Sequence, residues 1–454
     1  MHKTLVINAV GLTPGLLGPD TPNLNRLVER GRLATVGHVT PAVTCAVQAT
    51  YLTGTAPAEH GIVGNGWYFR DTSEVRFWLQ YDKLVQRPRL WDLARKIDPT
   101  FTCANLFWWY AMYSSADCTV TPRPMYPADG RKLPDVWTNP PALRTSLQQR
   151  FGQFPLFKFW GPMTSIESTR WIADAAMAVD EQFHPTLTLV YLPHLDYCHQ
   201  RLGPTHPACA NDLRELDEQI GRLLKWFDGA RAIVLSEYGI VPVSRPIHIN
   251  RMLRRLNLLR TRDELGREIL DAGASRAFAV ADHQIAHIYI NDPEVRPLVL
   301  RELQSTPGIA HVYVGDERSQ IGLNHPRAGD VIAVAEPDAW FTYYFWLHDA
   351  RAPDYARTVD IHRKPGYDPA ELFIDPAIRF PKLKIARRIL GRKLGFRNLL
   401  DVIPLDATLV KGSHGAPPPT PQQGPLFITS EKALLATDRI EATDVCDTIL
   451  KHLQ

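Results

Sequence analysis

Three apolar runs in this chain each end on a side chain equipped for chemistry, and no other feature limits the fold as strongly. Leu5-Val6-Ile7 closes on Asn8, Thr186 to Leu192 delivers Asp196, and Ile233-Val234-Leu235 delivers Glu237. Runs that are apolar on both faces suit strands of a sheet covered on both sides. Helical patterns separate them. Thr21 and Pro22 open one, Leu24, Leu27 and Val28 form its stripe and Gly31 stops it. Leu213, Leu216, Ile220, Leu223 and Leu224 share one face of a longer helix. Strands alternating with helices predict an α/β fold, a mostly parallel sheet sandwiched between helices. Asn8, Asp196 and Glu237 then meet at the carboxyl edge of the sheet, where such folds bind ligands.

A fourth polar group comes from Pro41 to Gly54. Pro41 breaks what precedes, Thr44 reads as a helix N-cap, and Gly54 as the stop. Capping is the ordinary role of a threonine there. The same place also suits phosphate or sulfate, because unpaired N–H groups and the positive end of the helix dipole favour an anion. A hydroxyl beside it becomes a nucleophile if a metal lowers its pKa.

The chain of 454 residues is long enough for one large α/β domain with insertions or for two domains. No repeat or low-complexity linker cuts it, so residues 1–454 are read as one domain, with insertions over the site at about 64–160 and about 340–400. A net charge of +3 gives no reason to expect a nucleic-acid duplex as partner. No window of 18 apolar residues occurs, Met1 to Asn8 turns polar too soon for a signal peptide, and the six cysteines form no C-x-x-C pair. Reduced thiols and a cytoplasmic location are the expectation. Prolines crowd residues 120–162, which reads as an irregular excursion. Strand-like runs follow at 286–290, 310–314 and 331–335, and a helix is expected from about Glu441 to Leu453.

The stretch Thr44 to Asn65, T-x-x-x-x-x-T-x-x-T-G-x-x-P-x-x-H-G-I-V-G-N, together with Asn8, Asp196, Ser236-Glu237-Tyr238-Gly239 and Gly412-Ser413-His414-Gly415, resembles the alkaline phosphatase superfamily, in its nucleotide pyrophosphatase/phosphodiesterase (type I phosphodiesterase) branch. The resemblance implies a mostly parallel sheet with two divalent metals at the strand ends. It also implies Thr44 as a nucleophile that becomes phosphorylated and is then hydrolysed. One metal site would comprise Asn8, Thr44, Glu237 and Tyr238, oxygen-rich and suited to Mg or Mn; the other Asp196, His414 and either Gln200 or His199, suited to Zn. Several ligands depart from the family pattern. Asn8 stands for an aspartate, Glu237 for an aspartate, Tyr238 for a histidine and Gln200 for a histidine. Val47 replaces the asparagine expected near the nucleophile, which leaves Gln48 and Asn65 as candidate substrate contacts. His283, His287, Asp360 and His362 are candidate replacement ligands, each with a structural alternative.

The implied activity is metal-dependent hydrolysis of phosphodiester or pyrophosphate bonds in a small nucleotide or lipid-linked substrate, with one or two metals. The ligand losses keep open a weak or inactive member that binds a phosphorylated metabolite or lipid, or a phosphoryl or sulfuryl transfer from another ester. Aromatic segments at 67–69, 107–110 and 340–346 suit a core or an apolar pocket. Residues 382–397 interleave seven basic with six apolar side chains, suited to peripheral contact with an anionic membrane or to a solvated face.

Overall fold

Leu5, Val6 and Ile7 have no exposed surface and sit in the middle of a nine-stranded sheet. The computed structural model describes residues 1–396 and 398–454. Across the sheet the strands run Arg439–Ile440, Arg32–Val36, Leu426–Thr429, Arg231–Leu235, Thr4–Ala9, Leu187–Leu192, Cys103–Leu106, Cys118–Pro122 and Val136–Asn139. Five of its eight pairings are parallel. Register fixes the site. Asn8 pairs with Tyr191 on one side and Leu235 on the other, so three strands end level and their following loops open at one edge.

Helices cover the sheet in two groups. Pro22–Arg30, Ile166–Phe183, His194–Leu202 and Cys209–Trp226 pack among themselves, as do Thr44–Thr53, Leu90–Ile97 and Asp444–Leu453. The mixed α/β architecture expected from the apolar runs is therefore present.

A second sheet is antiparallel, in the order Ala277–Asp282, Ile285–Ile290, Val331–Ala335, Ile309–Val314. It has its own apolar cluster, which includes Trp340, Tyr343, Phe345 and Trp346, so the 340–346 segment is core. His283 and Gln284 form the tight turn between its first two strands, and His283 takes a φ of 61°.

The proline-rich excursion is more regular than its composition suggests. Residues 120–162 contain most of the 118–122 strand, the 136–139 strand and the helix Ala142–Phe151. Pro122, Pro140 and Pro141 lie at the ends of these elements, where a missing N–H costs no ladder or helix bond. The basic-apolar segment forms the helix Pro381–Lys393; Arg397, also part of that expectation, lies outside the described residues. No helix among the described residues is long and apolar enough to cross a membrane.

Candidate active site

Thr44 does not cap its helix. Val43 is the extended N-cap residue and Thr44 is the first helical position, so its hydroxyl is released from capping and meets Tyr238 OH at 3.1 Å. The 44–53 helix is buried along its whole length, and Thr44 itself is 4% exposed. The N–H of Cys45 donates to Asn65 Oδ1 at 3.0 Å, and Asn65 is fixed in turn by two bonds to Asp282, at 2.8 and 3.1 Å.

Asn8 and Glu237 meet as the strand register requires. Asn8 Nδ2 and Gln48 Nε2 each donate to Glu237 Oε1 at 2.6 Å, and Gln48 Oε1 accepts from the N–H of Trp109 at 2.7 Å. Both candidate substrate contacts, Gln48 and Asn65, therefore spend their side chains on the frame of the site. Asp196 lies in the first turn of the 194–202 helix, and Tyr238 OH donates to its Oδ1 at 3.4 Å.

His414 reaches the same point because Gly412 allows it: a Cβ there would lie 2.1 Å from the His199 carbonyl oxygen. The Nδ1–H of His414 donates to the Ala42 carbonyl at 2.7 Å, which leaves Nε2 facing Asp196 Oδ1 at 4.0 Å. Its ring stacks on Tyr238 at 3.6 Å and meets His283, also at 3.6 Å; His283 stacks on Tyr367 at 3.7 Å. Tyr367 OH donates to Gln200 Oε1 at 2.9 Å. Tyr367 and Asp282 were not singled out from sequence. Tyr367 sits in the segment that holds Asp360 and His362, where attention fell on the ionisable groups.

The helix turn separates Gln200 from His199. Asp196 and Gln200, one turn apart, face the Thr44 centre, whereas His199 lies with the sulfurs of Cys198 and Cys209. His287 accepts from the N–H of Gly329 at 3.1 Å and belongs to the second sheet. His362 lines the same cleft as Thr44 and packs against Tyr126, and the Asp360 N–H donates to Glu371.

Burial dominates the electrostatics. It lifts Glu237 to about 8 against the amide bonds that lower it, and lifts Asp196 and Asp282 to about 7. It lowers His414 to about 3 and holds His283 neutral. The acids thus titrate near neutrality while the histidines stay uncharged. Above Thr44 opens a cleft walled by Trp78, Trp109, Trp160, Tyr126 and Tyr197, with Arg123 and Lys132 among its lining.

The site offers fewer carboxylate and imidazole ligands than a two-metal centre uses, yet it keeps open lone pairs. Two amide N–H groups occupy Glu237 Oε1 at 2.6 Å, whereas Glu237 Oε2, Asn8 Oδ1 and His414 Nε2 are buried with no hydrogen-bond partner among the described residues, so these three atoms are the ones that would face an ion. On the other side Gln200 Oε1 is taken by Tyr367, leaving one carboxylate and one imidazole where an open zinc site uses three protein ligands. The groups of three or more ligand-type side chains among the described residues lie elsewhere, at Cys198, His199 and Cys209 and at His194, Asp212 and Glu215.

A level sheet edge, a buried hydroxyl at a helix start and paired carboxyls define a phosphoester hydrolase of alkaline-phosphatase-like fold. Residues 4–368 match the family model for type I phosphodiesterase / nucleotide pyrophosphatase, and the chain belongs to that family. Among solved structures it is similar to phosphonoacetate hydrolase from Sinorhizobium meliloti 1021 in complex with phosphonoformate, at 15% identity and a TM-score of 0.62, covering 100% of this chain and 96% of that one. It is also similar to murine ectonucleotide pyrophosphatase / phosphodiesterase 5, an inactive form in complex with AMP, at 15% identity and a TM-score of 0.61, covering 100% and 95%. The human ectonucleotide pyrophosphatase / phosphodiesterase 5 matches at 15% and 0.61, covering 99% and 94%. A search of the curated proteins finds no match.

Proposed function

We propose that the chain hydrolyses a phosphoester or pyrophosphate bond of a small substrate, a nucleotide or a lipid-linked phosphate, with Thr44 as nucleophile. The observation that carries this reading is the chain of hydroxyls from Thr44 Oγ1 to Tyr238 OH at 3.1 Å and on to Asp196 Oδ1 at 3.4 Å. As Thr44 Oγ1 bonds to phosphorus, its proton passes to the Tyr238 oxygen and the tyrosine proton passes to Asp196. The bond to the leaving oxygen breaks, and that oxygen takes a proton back along the same path. Water then cleaves the phosphothreonine and restores the hydroxyl. Burial sets the basicity of Asp196 near 7, which matches a base working at neutral pH. Asn8 and Gln48 fix Glu237 by its Oε1, and the aromatic walls receive the leaving group.

The same reading treats residues 1–454 as one catalytic unit. It also assigns the Pro381–Lys393 helix, which exposes Leu383, Ile389 and Leu390, as a peripheral contact with an anionic membrane for a lipid-linked substrate.

The test is hydrolysis of a bis-aryl phosphate by the wild type and Thr44→Ala, with and without Mn or Zn, and an acid quench to trap phosphothreonine for mass spectrometry. Turnover and a labelled Thr44 in the wild type, both absent in the variant, are expected. Equal activity in the two proteins overturns the nucleophile. A second reading, binding without turnover, is favoured by the saturation of Glu237 Oε1 by two amides; it predicts a phosphorylated ligand that binds and is recovered intact.

A further inference from the structure

The 194–202 helix has a second set of ligand-type side chains that the reaction does not use. Cys198, His199 and, from the next helix, Cys209 place two sulfurs and one imidazole nitrogen all within 4.8 Å of one another. These side chains are 1%, 2% and 3% exposed, and His199 Nδ1 is buried with no hydrogen-bond partner among the described residues. Each thiol donates to a backbone carbonyl at 3.5 Å, Cys198 to Leu195 and Cys209 to Gly203. A buried imidazole without a partner is costly, and a bound ion removes that cost.

The surroundings favour a cation. His194, at 3.3 Å from Glu215 and 3.9 Å from Asp212, forms an adjoining group on the same two helices, half-open to solvent through its carboxylates. Two thiolates and an imidazole are soft donors, and atoms within 4.8 Å of one another need only small side-chain movements to close on one ion at bond lengths of about 2.3 Å to sulfur and about 2.0 Å to nitrogen.

We propose that Cys198, His199 and Cys209 form a structural site for a thiophilic divalent ion, zinc above all, that ties the 194–202 helix to the 209–226 helix. Binding forms two metal–sulfur bonds and one metal–nitrogen bond, and the displaced thiol protons leave to solvent. Magnesium and calcium, which require oxygen donors, are refused. Because Asp196 and Gln200 ride on the same helix, the ion steadies the helix that carries them without touching the Thr44 centre.

The full-length protein, stripped with a chelator under reducing conditions, is titrated with cobalt(II) as the spectroscopic probe and with zinc. A thiolate-to-cobalt charge-transfer band that saturates at one equivalent, and is lost in Cys209→Ser and His199→Ala but kept in His414→Ala, is expected. Retention by His414→Ala separates this site from any ion near Thr44. Should the cysteine variant fail to fold, the wild type alone decides: zinc must raise its melting temperature by several degrees and magnesium must not. No charge-transfer band with both thiols confirmed reduced by mass, a band that survives Cys209→Ser, or a Cys198–Cys209 disulfide in the protein as isolated would each overturn the proposal.

Discussion

One helix, His194–Leu202, serves two neighbourhoods with different donor sets. Asp196 and Gln200, a turn apart, face an oxygen-rich centre in which Glu237 Oε1, Asp196 Oδ1 and Gln200 Oε1 accept protein hydrogen bonds while Asn8 Oδ1, Glu237 Oε2 and His414 Nε2 have no partner among the described residues. Cys198 and His199 face a sulfur-rich group with Cys209, and His199 Nδ1 is likewise buried without a partner. Hard oxygen donors and soft sulfur donors select different ions, so the two sides of one helix are distinguished by which ion they would take.

The comparison breaks at Thr44 if the hydroxyl is inert. Thr44→Ala is expected to lower kcat by about 1,000-fold or more, measured on an aryl phosphodiester, with its metal content unchanged. Next in size, Tyr238→Phe interrupts the proton path and should cost about 100-fold. In the wild type kcat rises with pH through about 7 as Asp196 loses its proton, and in the variant that rise is expected to flatten; an unaltered profile would remove Asp196 from the mechanism.

Asn8→Asp tests whether hydrogen bonds or metal hold the first neighbourhood together. It replaces an amide donor with a second carboxylate beside Glu237 and should destabilise the metal-free protein by about 2 kcal/mol or more, read by chemical denaturation. Recovery of that loss on adding Mn or Zn would show that a single substitution rebuilds a cation site, whereas no loss would mean the Asn8 bond matters little.

The last test sits on Glu237. Its folded value of about 8 lies above the ordinary 4.5, so the folded protein keeps this proton where the unfolded chain has lost it, and the group costs stability as pH rises from 4.5 to 8. Glu237→Gln should flatten that part of the stability profile. His414 works in the other direction: held at about 3 against 6.5, it costs stability as pH falls below 6.5 and serves as the control slope in the same experiment.

The strands around Asn8, Asp196 and Glu237 were legible because burial on both faces leaves an unbroken apolar run. The strands at 118–122 and 136–139 were hidden by prolines that fall harmlessly at element ends. Thr44 read as a cap because its helix was taken to start one residue later than it does; the extended Val43 moves the hydroxyl into the site. The choice between His199 and Gln200 was not legible, since i+3 and i+4 both share a face with Asp196; the structure turns Gln200 to Tyr367 and His199 to the sulfurs of Cys198 and Cys209. No local pattern could show the ring contacts of Tyr238, His414, His283 and Tyr367, which draw on four distant parts of the chain.

The central sheet ends on one side in the two-residue strand Arg439–Ile440 and on the other in Val136–Asn139, followed at once by Pro140 and Pro141. Edges so brief give a neighbouring molecule little backbone to pair with, and proline withholds the donors that pairing needs. At high concentration, strand-to-strand polymerisation is thus disfavoured at both margins of the central sheet, and the longer edge strand Ile309–Val314 of the second sheet is where backbone pairing has more to hold.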